Sequence, residues 1–139
     1  MKKIKSLTAI LFVALFVFAC ASCGQEATGL WKDAKYKENT TIGEGNTTFT
    51  LEVCAEDKSV ILTVSTNKTV LGDALLELGL IEGEAGAYGL YVKKVNGILA
   101  DFDVDQTYWA LYINGSYAMT GVDSTTIENG AVYKFAREK

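Results

Sequence analysis

Three groups of residues have types and spacings that could carry chemistry: Cys20 with Cys23, the acidic run Asp101-Phe102-Asp103-Val104-Asp105, and a cluster of aromatic side chains between Tyr88 and Tyr117. Cys20-Ala21-Ser22-Cys23 has the C-x-x-C spacing of a redox pair, but such a pair needs a strand and a helix N-terminus to acidify its first thiol. Here it closes a short apolar run, a context that suits lipid attachment instead. The acidic run places oxygen ligands at alternate positions, as at the start of a calcium loop. That loop would need glycine where Gln106 stands and a bidentate glutamate where Tyr112 stands, so the run reads as a solvated acidic turn and no metal is expected. The chain has no histidine, which removes the commonest general base, the commonest metal ligand and every triad built on imidazole. Neither a nucleophile elbow nor a phosphate-cradling glycine loop is present. No enzymatic activity and no cofactor are expected.

The aromatic cluster is the remaining candidate. Seven of the twelve aromatic residues beyond Cys20 fall in it: Tyr88, Tyr91, Phe102, Tyr108, Trp109, Tyr112 and Tyr117. Tyrosine offers a flat apolar body with one hydrogen-bonding tip, which suits a surface that grips a planar ligand or another protein. Packing across a sheet would explain the same residues without any ligand.

These residues must be delivered and held by the rest of the chain. Lys2, Lys3 and Lys5 precede an uncharged apolar run from Leu7 to Phe18, the layout of a secretory signal over residues 1–19. Roughly twelve apolar residues are too few for a membrane span, which takes about 20. Ala19 before Cys20 and Ser22 before Cys23 both supply the small residue that precedes a lipidated thiol. Either cysteine can therefore be the anchor, with Val17 favouring Cys20. Residues 20–46 are polar and aperiodic and read as a tether, within which Trp31 and Tyr36 could dock on the domain or rest at the bilayer. Without the signal, ten basic residues face seventeen acidic ones, a formal net charge near −7. That balance argues against nucleic acid, whose binding draws on Lys and Arg, and leaves membrane attachment to the acyl chains. Cys54 is the one cysteine inside the presumed fold and reads as a buried, inert thiol.

Residues 47–139 carry the periodic signals. Phe49 to Cys54 alternates apolar and polar residues, Val60 to Val64 is a second strand, and Glu56-Asp57-Lys58 joins them in a hairpin. Val70, Leu71, Ala74, Leu75 and Leu78 share one helical face, with Thr69 as N-cap and Gly79 as the stop. Leu90 to Val95, Tyr108 to Ile113 and Ala131 to Phe135 are further strands. Asn96-Gly97 and Asn114-Gly115 follow the first two, and Asn129-Gly130 leads into the third. One helix covering one face of a mixed sheet is the economical solution, an α+β fold with the outline of a β-grasp. Within the strand at 108–113, Trp109, Leu111 and Ile113 share the helix-covered face, and Tyr108, Ala110 and Tyr112 share the open one.

Leu71-Gly-Asp-Ala-Leu-Leu, Tyr88-Gly-Leu-Tyr-Val with Val95-Asn-Gly-Ile, Tyr108-Trp-Ala-Leu-Tyr-Ile-Asn-Gly, Gly121-Val-Asp and Glu128-Asn-Gly occur in that order. The set resembles the bacterial domain related to the C-terminal domain of transcobalamin and intrinsic factor, over roughly Phe49 to Phe135. The resemblance implies a β-grasp of the soluble-ligand-binding kind, and in the animal carriers this domain covers one face of cobalamin. Those carriers close the site with a helical domain that this chain lacks, and Asn114 to Met119 departs from their shorter connection. The expectation is a non-enzymatic, lipid-anchored extracytoplasmic binding protein for a soluble molecule such as a corrinoid, with a helical carrier domain on another chain as a possible partner. Tyr88, Tyr91, Tyr108, Trp109, Tyr112, Tyr117 and Met119 would supply stacking and apolar contact, and Asn114-Gly115 a backbone contact. Alternation places Trp109 in the core, whereas the resemblance places it nearest the ligand. The alternative is a surface module for protein interaction or adhesion with no small-molecule ligand.

Overall fold

The computed structural model describes residues 29–139; the signal segment, Cys20 and Cys23 lie outside the described residues. The hairpin forms as its alternation demands: β2 (Thr47–Ala55) and β3 (Lys58–Thr66) pair antiparallel, with Leu51 opposite Leu62 and Val53 opposite Val60. Phe49, Leu51, Val53, Val60, Leu62 and Val64 are essentially fully buried on one face. The last strand, β9 (Val132–Glu138), lies parallel beside β2, and β7 (Tyr108–Ile113) pairs antiparallel with β9. Short strands β1 (Thr40–Gly43) and β8 (Ser116–Tyr117) close the two edges, giving the order β1-β3-β2-β9-β7-β8.

After the helix α1 (Leu71–Glu77) the chain builds a second sheet from β4 (Ile81–Gly86), β5 (Gly89–Val95) and β6 (Ile98–Leu99). The fold is therefore α+β and mostly β, but in two sheets where one mixed sheet was expected. β4 has only Ile81 buried, so it carries almost none of the apolar periodicity by which a strand is read from sequence. Asp101 to Asp105, expected as a turn, forms the one-turn helix α2 (Phe102–Asp105), with the Asp101 carboxylate accepting the Asp103 N–H at 3.1 Å.

A seven-residue helix cannot persist alone in water. Leu71 and Leu75 are 0% exposed and join the same core as Phe49, Leu51, Tyr133 and Phe135, each contributing roughly 1.5–3 kcal/mol by burial. Gly79, at φ +67°, stops the helix: its N–H reaches the Leu76 carbonyl and the Leu80 N–H reaches that of Leu75. This is the paired arrangement that a left-handed residue at a helix end permits. At the other end the expected cap is replaced. Val70, not Thr69, occupies the N-cap and makes no side-chain bond; the Leu71 N–H is taken by the Thr125 carbonyl at 2.9 Å. A tertiary partner satisfies a donor that a threonine hydroxyl would otherwise serve.

The segment read as tether is folded from Gly29 onward. Trp31 is 3% exposed, its indole N–H donates to the Ala55 carbonyl at 3.0 Å, and Lys58 Nζ sits 4.9 Å from the ring centroid. Thr40 to Gly43 pairs parallel with Leu62 to Ser65. Between these contacts, Asn96 receives the Tyr36 N–H and donates back to the Tyr36 carbonyl, both at 2.8 Å. The folded unit thus begins well before residue 47, because an aromatic anchor and one buried amide hold a strap of otherwise polar composition.

Candidate functional site

Among the described residues two concavities share β5 in their linings. One is a cleft of about 180 Å³ between β5, β7 and the segment 117–122, with Leu90, Tyr91, Trp109, Leu111, Tyr117 and Val122 in its lining. The other is a groove of about 660 Å³ lined by Leu30, Asp33, Glu82, Lys94, Leu99 and Arg137 among others.

The two differ in what their polar groups already do. In the groove, Arg137 donates to the Asp105 carboxylate at 2.7 Å and to the Leu99 carbonyl at 3.0 Å, and Lys94 lies 3.6 Å from Glu82. Bonds from Thr107 and the Arg137 cation hold the Asp105 carboxyl below the usual carboxylate range. Among the described residues no group of three Cys, Asp or Glu side chains is placed to hold a metal ion. The cleft, by contrast, has apolar walls and aromatic rims, with Tyr91 44% and Tyr117 56% exposed.

Trp109 lines the cleft and reaches back to the small sheet. Its side chain is on the core face of β7, edge to face with Phe135 at 6.5 Å, and its indole N–H is shared by the carbonyls of Lys93 at 3.1 Å and Ile98 at 3.2 Å. It therefore belongs to the core, ties the small sheet to the large one, and still contributes to the cleft wall. Both readings of Trp109 from sequence describe parts of its position.

Of the residues expected to bind, Tyr91, Tyr108, Trp109 and Tyr117 line the cleft. Tyr88 and Met119 are 98% and 93% exposed; they sit in the β4–β5 turn and between Ala118 and Thr120, so each stands on one of the segments forming the rims. Tyr112 does not line the cleft. On the outer face of β7 it stands opposite Lys134, while its hydroxyl donates at 2.6 Å to Glu138, which is opposite Tyr108. The phenol therefore crosses the intervening rung, Ala110 opposite Ala136, and Ala110 is only 1% exposed. Tyr117 meets it edge to face at 5.6 Å and Lys134 Nζ lies 5.6 Å from its ring centroid. Bonding to the Glu138 carboxylate favours the neutral phenol and pushes its pKa up to about 12. Tyr112 is thus committed to cross-strand packing.

Asn114 and Gly115 form the expected turn, at φ +49° and +88°, and Asn114 bonds the backbone of Val132 through both its N–H and its side-chain carbonyl. The turn lies outside the cleft lining and fixes β9. Cys54 is half-buried on the outer face, where a buried thiol was expected; partial desolvation and nearby Glu52 push its pKa up. Residues that sequence reading missed are Leu90 and Val122 in the walls and Asp123 behind them. Their prior signals were the Tyr88-Gly-Leu-Tyr-Val and Gly121-Val-Asp runs within the resemblance.

A family profile described as a domain of unknown function, DUF4430, matches residues 67–136. The chain is similar to the crystal structure of a presumed metal-binding protein from Ruminococcus gnavus ATCC 29149, with 26% identity and a TM-score of 0.64, over 68% of this chain and 98% of that one. It is also similar in fold to haptocorrin, solved in complex with Cbi, with 21% identity and a TM-score of 0.56, over 67% of this chain but 25% of haptocorrin. No curated protein matches the chain. The matched segment runs from the start of the helix through the cleft to β9, and on that match the chain belongs to the DUF4430 family.

Proposed function

We propose that this protein is a non-enzymatic, lipid-anchored extracytoplasmic binding protein whose cleft receives one edge or face of a planar soluble ligand, a corrinoid. The observation that carries the reading is the cleft itself: an apolar wall ending in Trp109, flanked by two rims that expose Tyr91 and Tyr117 and carry Tyr88 and Met119. The haptocorrin likeness and the order β3-β2-β9-β7, with the hairpin's first strand parallel to the last strand, support a β-grasp that presents such a face. Residues 1–19 act as signal and Cys20 or Cys23 takes the lipid.

Size bears on the mode of binding. A self-sufficient small-molecule pocket occupies about 300–1,000 Å³ and encloses most of its ligand, whereas this cleft measures about 180 Å³. The domain covers part of the ligand and leaves the rest for a second body, such as a helical carrier domain on another chain. Titrating the chain from Gly24 onward with cyanocobalamin and cobinamide, followed by tryptophan fluorescence and calorimetry, tests this. Saturable binding is expected; no signal up to about 100 μM, a free energy of roughly −5.5 kcal/mol, removes the corrinoid reading. The near-complete exposure of Tyr88 and Met119 favours one second reading, a surface module that docks protein. In that case Tyr88→Ala with Met119→Ala abolishes partner capture on cells while the corrinoid titration stays flat.

A further inference from the structure

Behind the β5 wall of the cleft lies a contact that none of the ligand-facing residues explains. Asp123, in the short 3-10 turn Val122–Ser124, accepts the Leu90 N–H through Oδ2 at 2.8 Å. Two glycines make room for it. A β-carbon on Gly72 would stand 2.8 Å from Asp123 Oδ1, and one on Gly89 would stand 3.0 Å from Oδ2. Gly89 also holds φ +106°, a conformation that L side chains rarely adopt. The carboxylate is thus keyed between the first turn of α1 and the first residue of β5. On the other side, the same segment is bound to the core: Thr125 takes the Leu71 N–H, Thr69 takes the Ile127 N–H, and Val122 is 2% exposed. Gly121 and Val122 themselves line the cleft. One rigid segment therefore supplies one wall of the cleft and, one residue later, grips the opposite wall at Leu90, beside Tyr91.

We infer that Asp123 is the positioning residue of the cleft, setting the distance between the β5 wall and the 117–122 rim; as a statement about binding this rests on the function proposed above. Asp123 touches no ligand in this scheme. It removes the freedom of a hairpin whose β4 strand has only Ile81 buried, so that the aromatic rims are held apart before a ligand arrives, and preorganisation of that kind lowers the ordering cost of binding.

Backbone hydrogen exchange, resolved by residue on the exported chain, tests the inference in wild type, Asp123→Ala, Asp123→Asn and Gly89→Ala. A charge-assisted bond to a backbone N–H is among the stronger kinds. In Asp123→Ala the Leu90 amide is expected to exchange about tenfold faster or more, while amides of β2 and β9 keep their rates. Asp123→Asn, which retains an acceptor of the same shape, stays near wild type; Gly89→Ala, which crowds the carboxylate, follows Asp123→Ala. Cyanocobalamin affinity is expected to fall about tenfold in Asp123→Ala and Gly89→Ala alone. An unchanged Leu90 rate in Asp123→Ala, a uniform rise across both sheets, or selective loosening with undiminished cyanocobalamin binding each overturns the inference. If wild type does not bind cyanocobalamin at all, the corrinoid reading falls while the exchange rates still decide whether Asp123 holds the wall.

Discussion

The cleft and the groove share β5, yet their polar groups are engaged differently. The groove is the larger, and both cations in its lining are already paired, Arg137 with Asp105 and Lys94 with Glu82, while Asp33 and Asp101 line it as well. An anionic ligand entering there must break one of those pairs to reach a cation. The cleft has apolar walls and rim tyrosines that are half exposed, so a ligand gains contact there without breaking an ion pair. Volume alone would have chosen the other one. The same contrast runs across β7: Tyr112 on the outer face is engaged by Glu138, Lys134 and Tyr117, whereas Tyr91 stands half exposed on a rim of the open cleft.

If Trp109 ties the small sheet that lines both concavities to the large one, its loss should destabilise the fold. Trp109→Ala removes a large core ring and the indole N–H that joins the sheets, and about 3–5 kcal/mol of stability should go with it. Urea denaturation gives the loss; a value below about 1 kcal/mol would mean that the small sheet is held without it. Asn96→Ala breaks a different part of the comparison, the strap that borders the groove alone. It leaves the Tyr36 N–H and carbonyl without their partner and puts alanine at φ +54°. A cost of about 1–3 kcal/mol is expected, with faster exchange at Tyr36 and unchanged exchange at Leu90. Loosening at the cleft instead would show that strap and cleft are coupled.

The smallest effect sharpens the contrast between the faces of β7. Because the Glu138 carboxylate favours the neutral phenol, Tyr112 in the folded chain keeps its proton to about pH 12, above the ordinary 10.0. The folded state binds that proton more tightly than the unfolded one. Its stabilisation is therefore fully present below pH 10 and is lost as the pH rises through about 12. Alkaline titration followed by tyrosinate absorbance should show one late tyrosine that is absent from Tyr112→Phe; if the substitution leaves every phase in place, Tyr112 is free and the outer face must be considered for binding again.

Much of the fold was legible because it rests on local rules. The hairpin of β2 and β3 follows from two-residue alternation, the helix stop from Gly79, and the turns from Asn96-Gly97 and Asn114-Gly115, whose positive φ angles are those that asparagine and glycine tolerate. The alternation in Tyr108 to Ile113 also placed Trp109 and Leu111 inward and Tyr112 outward. The site was legible only in part. Tyr91, Tyr108, Trp109 and Tyr117 were gathered by composition and do line one cleft, but the same count swept in Tyr112, because a tyrosine that has found a carboxylate across a strand looks like any other in a sequence.

By itself the sequence determined the elements whose cause lies within a few residues: the period of the strands, the end of the helix, the turns, and the absence of histidine that removes imidazole chemistry. Tertiary structure alone decided the rest, because the partners are far apart along the chain. Trp31 finds the Ala55 carbonyl 24 residues away, Tyr36 finds Asn96 at a separation of 60, and Leu90 finds Asp123 at a separation of 33. A strap, a second sheet and a cleft wall are each held by such bonds, and a bond between distant residues leaves no periodicity in the sequence that forms it.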